Sequence, residues 1–484
     1  MSKISLLIIA LALTILFAYI YYDQASRLYI SEIERSGKGY VSDEVWYVSS
    51  ARNILEKIFG FRPKMPGSYG ASIIVNKSID KQSLEKLISK YGLNIKVVDT
   101  TYNKIKAIYV EFNNVNEVQA FVKYLEKETG IHVIDVIYGW RIPDAENINN
   151  YLNTEHPPLA KYLVALSIAL LGDYPIAWRI PSIIAGALTV LISFLIVLKI
   201  TGSETLAFIV ALFVGIDPMM RSLSSIALLD VFVALFTVLA LYFIVLRKYY
   251  TALIVAIIGS LFKFSALFIL IPVTLYIVRT ELRNNPTFHG ALSGLIRVFS
   301  VSILLFIGVQ VISSVPLIQH LGFGIWFQQA ILGAFKWHMS SKCVGASCPI
   351  SSSPWDWFMG VNGFPLYYFS ADEYIVATGF WPFWLIALIY SYLVFPIYTR
   401  DRDLGKILVF FHGVFLGYVL LWILGNKTQY SFYAVQFTPL VYLILVLVFV
   451  KVIIKKEMLI YVINMWISVG RFIWKTLLKI LLIT

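Results

Sequence analysis

Residues 177–199 read AWRIPSIIAGALTVLISFLIVLK. Arg179 lies near the start of this run and Lys199 ends it, with only uncharged residues between them. As a helix rising about 1.5 Å per residue, the run spans the roughly 30 Å of a bilayer's hydrocarbon core. Similar runs recur along the chain. Of its 484 residues 59% are hydrophobic and 14% charged, against roughly 45–50% apolar and about 25% charged in soluble chains. A soluble fold cannot hide that much apolar surface with so few charges outside. The composition also excludes disordered, collagenous and disulfide-scaffold classes. The expected fold class is a polytopic α-helical membrane protein of about ten spans.

The spans are expected near 4–22, 157–172, 177–199, 204–220, 223–246, 250–279, 296–316, 376–399, 404–425 and 429–451, with a break near Phe262 left open. The first run follows Lys3 and lacks a small-residue cleavage site, so it reads as a retained span with its N-terminus inside. Alternation then puts 23–156 and 317–375 outside. The basic connections with Arg279, Arg283 and Arg297, with Arg400, Arg402 and Lys406, and with Lys451, Lys455 and Lys456 fall inside. That is the positive-inside bias, and it accounts for the net charge of +12 without nucleic acid. Arg247 and Lys248 land outside in this count, against the bias. In 455–484, Arg471, Lys475 and Lys479 recur every four residues, as on one stripe of a cytoplasmic interfacial helix.

Six segments follow: 1–60, the first span and an outer juxtamembrane helix; 68–140, an inserted domain; 150–316, the membrane core; 317–375, the second outer loop; 376–451, the last spans; and 455–484, the amphipathic helix. The insert alternates short strand patterns at 72–75, 95–98, 105–112 and 133–137 with helical ones at 84–91 and 115–127. The order βαββαβ predicts a ferredoxin-like α+β domain. It holds no nucleophile, phosphate-loop or metal-ligand signature, so an accessory role is expected.

Chemistry in such a chain is sought among charges that topology does not explain. Asp43-Glu44 opens an amphipathic helix, where paired acids also complement a helix dipole. Thr154-Glu155-His156-Pro157-Pro158-Leu159-Ala160-Lys161 lies at the outer surface, where His156 and Lys161 could face a lipid phosphate. Arg179, Asp230 and Lys263 are ionisable at or inside spans, and such residues line cavities or pair with one another. Cys343 and Cys348 in the second outer loop suit a small disulfide ring, with free thiols or a metal site involving His338 as alternatives. Asn76-Lys77-Ser78 and Asn426-Lys427-Thr428 are glycosylation sequons on the outer side.

Together these stretches resemble a family. Asp43-Glu44, His156 through Lys161, Trp178-Arg179-Ile180-Pro181-Ser182, Ala227-Leu228-Leu229-Asp230 and the later Trp326–Gln329, Trp337-His338 and Ser353–Trp357 stretches are similar to motifs of the GT-C glycosyltransferases. Within them the resemblance is to the dolichyl-phosphate-mannose protein O-mannosyltransferases, over roughly 1–60 and 150–440. It implies inverting transfer of a hexose from a polyprenyl (dolichyl) phosphate to a hydroxyl, as on protein Ser/Thr, at the outer face. The membrane would be the plasma membrane of a prokaryotic or archaeal member. Asp43 and Glu44 would be catalytic, Asp43 as the base, with Glu44 pointing elsewhere on the helix and orienting a cation or acceptor backbone as its alternative. His156, Lys161, Arg179, Lys263 and His338 would bind the donor phosphate, with a structural role as the alternative for Arg179. Trp355, Asp356 and Trp357 would make acceptor or outer-loop contacts. No obligatory metal is expected, and a dimer is left open. Ser225 stands where the family has arginine, with Arg221 a candidate substitute, and the family's β-trefoil insert is absent. Transfer to a lipid or glycan, and a non-catalytic transporter or scaffold, are the competing readings.

Overall fold

The computed structural model describes residues 3–340 and 348–481. Helix α1 (Lys3–Glu34) outlasts the expected first span, because its later turns pack on protein. Phe17, Tyr21 and Ala25 are fully buried. Tyr21 Oη donates to the carbonyl of Gly215 at 3.1 Å, and a Cβ at Gly215 would stand 2.3 Å from the Phe17 ring, so only glycine admits this approach. A short helix follows, α2 (Glu44–Asn53).

The insert comprises β1 (Tyr69–Val75), α3 (Lys81–Tyr91), β2 (Val97–Asp99), β3 (Ala107–Phe112), α4 (Val115–Thr129) and β4 (Val133–Tyr138). Its sheet runs β2-β3-β1-β4 with every neighbour antiparallel. Asp80 caps α3 by accepting the Ser83 N–H, and Asn114 caps α4 by accepting that of Glu117. Leu84, Leu87, Val118, Phe121 and Leu125 of the helices cover Ala71, Ile73, Ile108 and Val110 of the sheet.

The membrane portion begins with α5 (Leu159–Leu171), α6 (Pro175–Thr201), α7 (Glu204–Ile216), α8 (Pro218–Ser224), α9 (Asp230–Val245), α10 (Tyr249–Gly259), α11 (Leu270–Asn284) and α12 (Phe288–Leu321). The second long loop holds α13 (Phe323–Trp326), α14 (Ala334–Met339), α15 (Asp356–Met359) and the hairpin β5 (Phe364–Tyr368) and β6 (Tyr374–Ala377). Last come α16 (Trp381–Leu393), α17 (Arg402–Ile423), α18 (Thr438–Val448) and α19 (Lys456–Leu481). Among the described residues six helices are long and apolar enough to cross a membrane, or seven if α7 and α8, bent by 62°, form one span. The chain is an integral membrane protein. Four of the expected spans correspond to shorter apolar helices, α5, α9, α10 and α16.

Two expected crossings are corrected. Residues 157–172 do not carry the chain away from the segment before them, because both ends of α5 bind residues of 23–156: Lys161 donates to the carbonyl of His156 at 2.8 Å, and Asp173 accepts from Arg52 Nε at 2.6 Å. Residues 250–279 are not one helix. The chain breaks after Gly259, where Lys263 reaches Asp230 at 2.6 Å, so α10 and α11 run as neighbours in opposite directions. The side assignments shift accordingly. Arg179 starts α6 at the Glu44 end of the bundle, and Arg247 joins Arg279, Arg283, Arg402 and Lys406 around one cavity. The basic connection with Arg247 therefore lies at the same end of the bundle as the others.

Candidate active site

A cavity of about 570 Å³ opens at the end of the bundle where α2, α5 and α9 begin. Its polar wall holds Asp43, Asn153, Glu155, His156 and Lys263, and its aromatic wall Trp46, Tyr47, Tyr151, Trp337, Phe432 and Tyr433. Asp43 stands at the N-terminus of α2, yet its side chain does not cap the helix. Successive helical residues diverge by about 100°, so the adjacent acid turns away. Glu44 is fully buried and receives Arg179 Nε and Nη2, each at 2.8 Å, and the N–H groups of Val41 and Ala227, also at 2.8 Å. Arg179 completes its set with the carbonyls of Ala25 and Gly39.

The loop carrying His156 is fixed from beneath. Asn53 Nδ2 donates to the carbonyls of Ile148 and Tyr151 at 2.9 Å each, and Ser50 Oγ donates to that of Leu152. The buried Lys161 ammonium donates to the carbonyls of Asn153 and His156. The His156 ring meets Tyr47 at 5.7 Å and His338 at 5.3 Å, edge-on in both cases. Glu155 accepts from the Tyr151 hydroxyl and from Asn153 Nδ2 at 3.0 Å. Burial, and then the nearby charge of Glu155, push the Tyr151 phenol above its ordinary pKa. Burial followed by the charge of Asp43 does the same to Tyr47. Both phenols stay neutral and remain hydrogen-bond donors.

Lys263 closes the deep side. Its ammonium pairs with Asp230 and sits 3.9 Å from the Tyr433 ring centroid, a cation–π arrangement that strengthens as water is removed. Its chain neighbour Phe262 lines a different space, an apolar groove of about 420 Å³ bounded by Leu163, Ile180, Ile184, Phe232 and Leu235. The polar cavity and this groove thus adjoin across one peptide unit. Among the described residues no three of His, Cys, Asp and Glu converge as a metal-ligand group.

Residues 155–305 match the family model of the dolichyl-phosphate-mannose-protein mannosyltransferases. The matched segment is less than a third of the chain. The match takes in Glu155, His156, Asp230 and Lys263 of the site, whereas Asp43 lies before it. A polyprenol-phosphate-mannose–protein mannosyltransferase of Corynebacterium glutamicum is 32% identical over 105 residues, 21% of this chain and 20% of the relative. The chain therefore matches about one fifth of that relative's length. The crystal structure of ArnT from Cupriavidus metallidurans bound to undecaprenyl phosphate aligns over 61% of this chain and 50% of that one, with 12% identity and a TM-score of 0.41.

Of the residues expected to act, the structure gathers Asp43, His156 and Lys263 around one space and sets His338 beside His156. Others lie elsewhere. Glu44 and Arg179 bind each other and do not line the cavity. Lys161 lies beneath the His156 loop with its ammonium on backbone carbonyls. Arg221, the candidate substitute for the family arginine, lines a separate cavity with Gln24 and Arg27. Trp355, Asp356 and Trp357 stand off the wall. Trp355 packs on Trp422, Asp356 accepts the Ser353 N–H at 2.8 Å, and Trp357 is buried with Nε1 donating to Ser352 Oγ at 2.8 Å. Trp337 and Pro349 represent the second outer loop in the cavity instead. Cys343, half of the expected bridge with Cys348, lies outside the described residues. Glu155 sits within the quoted His-Pro-Pro stretch, which offered a signal for it. Tyr47, Tyr151 and Tyr433 offered none, since their spacing resembles that of core aromatics.

Proposed function

We propose that this chain is a glycosyltransferase that moves a hexose, mannose by its family match, from a polyprenyl phosphate to a protein Ser/Thr hydroxyl. The observation that carries the reading is one cavity that joins the Asp43 and Glu155 carboxylates to His156 and the Lys263 ammonium, near an apolar groove. The groove suits the isoprenoid tail, and the Lys263–His156 side suits the phosphate. Asp43 takes the acceptor proton while the acceptor oxygen bonds to C1. The C1–O bond to phosphate breaks on the opposite face, and its electron pair leaves with the lipid phosphate. The configuration at C1 inverts. A positioned base contributes roughly 10²–10⁴-fold, and preorganised cations stabilise the departing charge. Tyr47 would donate a hydrogen bond to a sugar hydroxyl.

The arginine-rich end lies at the far end of α9, α11 and α17, which supports placing the cavity on the outer face, at the plasma membrane. The insert contributes no residue to the cavity wall among those described, and its βαββαβ order supports a ferredoxin-like accessory. The test is purified chain with labelled dolichyl-phosphate mannose and a Ser/Thr peptide. Label on the peptide supports the reading. Label only on lipid or glycan would replace its acceptor half, and no transfer by folded protein would remove it.

A further inference from the structure

The geometry points to a binding site for a single phosphate group, borne by an anionic phospholipid or free in solution, at the end of the bundle opposite the sugar-transfer cavity. Arg247 from the α9–α10 turn, Arg279 and Arg283 from the end of α11, and Arg402 and Lys406 from the start of α17 line one cavity of about 80 Å³ with Tyr276. One water needs about 10–15 Å³ of such cavity space, so this space suits one small oxyanion and not a sugar nucleotide.

Nearby carboxylates do not neutralise it. Asp403 holds Lys406 at 2.8 Å, Asp401 holds Lys451 at 2.7 Å, and Glu281 holds Arg297 at 2.8 Å. Among the described residues no ion pair forms at Arg247, Arg279, Arg283 or Arg402. Four guanidinium groups in one place repel one another unless an anion joins them, and their planar forks match phosphate oxygens.

Two further observations point to a ligand. Tyr276 is only 4% exposed, and its hydroxyl has no hydrogen-bond partner; Tyr249 stacks on its ring at 5.6 Å and holds it in place. Arg247 has φ of +61°, a left-handed backbone that L residues avoid, and this turn brings its side chain to the shared space. The positive-inside bias explains arginines at this end. It does not explain three separate segments converging on one buried hydroxyl. Basic pockets between helices at such membrane faces hold lipid head groups.

The test is thermal unfolding of the purified full chain in neutral detergent, titrated with short-chain phosphatidylglycerol, inorganic phosphate, or diacylglycerol of the same chain length. Saturable stabilisation by phosphatidylglycerol or phosphate, but not by diacylglycerol, is expected. Saturation by phosphate alone identifies a free oxyanion, and a requirement for phosphatidylglycerol identifies a lipid. Arg279→Gln with Arg283→Gln should weaken binding at least tenfold, and Tyr276→Phe several-fold. Arg279→Lys, which keeps the charge but loses the fork, should fall between. Lys455→Gln with Lys456→Gln, exposed at the same end but outside the cavity, should bind as wild type. Equal stabilisation by diacylglycerol, no saturable effect, or undiminished binding by the Arg279 and Arg283 variants would overturn the proposal.

Discussion

Arg179 donates two parallel hydrogen bonds of 2.8 Å to Glu44, a residue 135 positions earlier, and neither side chain is exposed. The pair clamps the start of α6 to the start of α2, whose preceding residue is Asp43. Removing one partner of a buried pair leaves the other uncompensated, at a cost of about 3–5 kcal/mol. Arg179→Leu should therefore lower the melting temperature sharply and reduce the yield of folded protein. Arg179→Lys should recover little, because the three donors on one ammonium nitrogen cannot replace four hydrogen bonds spread over a planar guanidinium. A variant that melts like wild type would show the clamp to be dispensable.

Asp43→Asn separates chemistry from scaffold. The amide keeps the shape but cannot take the acceptor proton, so transfer should fall by roughly 10²–10⁴-fold with the melting temperature unchanged. Glu44→Gln should show the opposite pattern, with stability lost first. If the Asp43→Asn enzyme transfers label at near wild-type rate, another group is the base, and Glu155 on the same wall is next in line.

Helix geometry in the sequence already turns Glu44 away from Asp43, but it does not name the partner that Glu44 meets. Ionisable residues stand out in an apolar chain, so Asp43, His156 and Lys263 can be singled out before any geometry. Their partners cannot, because Glu44 and Arg179 meet only through the fold, as do Asp230 and Lys263. Each buried charge therefore resembles a ligand-binding group, including Lys161, whose acceptors are backbone carbonyls with no sequence signature. The misplaced crossings have the same origin. Hydropathy leaves open whether 250–279 breaks near Phe262, whereas the fold breaks it there, where Lys263 meets Asp230. Asp173 carries no local signal of its role, yet it gathers Arg52, Trp178 Nε1 and the Trp140 N–H at the corner between α5 and α6. The insert is easier to read, because period-two strands and capped helices are local signals.

Lys263 should act on the leaving group. Lys263→Gln removes a preorganised cation from the cavity and should lower kcat by about 10²–10³-fold in single-turnover transfer, with a smaller change in KM. Lys263→Arg should restore part of the rate, since it keeps the charge beside Asp230. A Lys263→Gln enzyme with unchanged kcat but raised KM would move Lys263 from the reaction to ground-state binding.

Chelation gives a further check. If charge on the departing phosphate is met by Lys263 and His156, excess EDTA should leave the transfer rate of the purified chain unchanged. Loss of activity, restored by one divalent ion, would mean that the charge is met by a metal as well.

Glu56 couples the insert to pH. Its carboxylate accepts the Tyr138 N–H at 3.1 Å, at the end of β4. Burial is the leading influence and pushes its pKa up to about 7, while that N–H and the Arg52 charge pull the other way. The folded state thus holds this proton more tightly than the unfolded chain, whose carboxyl titrates near 4.5. Below that value the group has no differential effect. As pH rises from about 4.5 through 7 the unfolded state loses its proton first, and stability falls before levelling off. The loss is about 1–3 kcal/mol, since one pKa unit corresponds to about 1.36 kcal/mol and the site is incompletely buried. Glu56→Gln should flatten this slope and make the protein more stable than wild type at pH 8, while changing little at pH 4.5. Hydrogen exchange at the β4 amides should follow the same trend, because Tyr138 donates the bond. A Glu56→Gln variant whose melting temperature keeps the wild-type pH slope between 5 and 8 would assign that slope to another group.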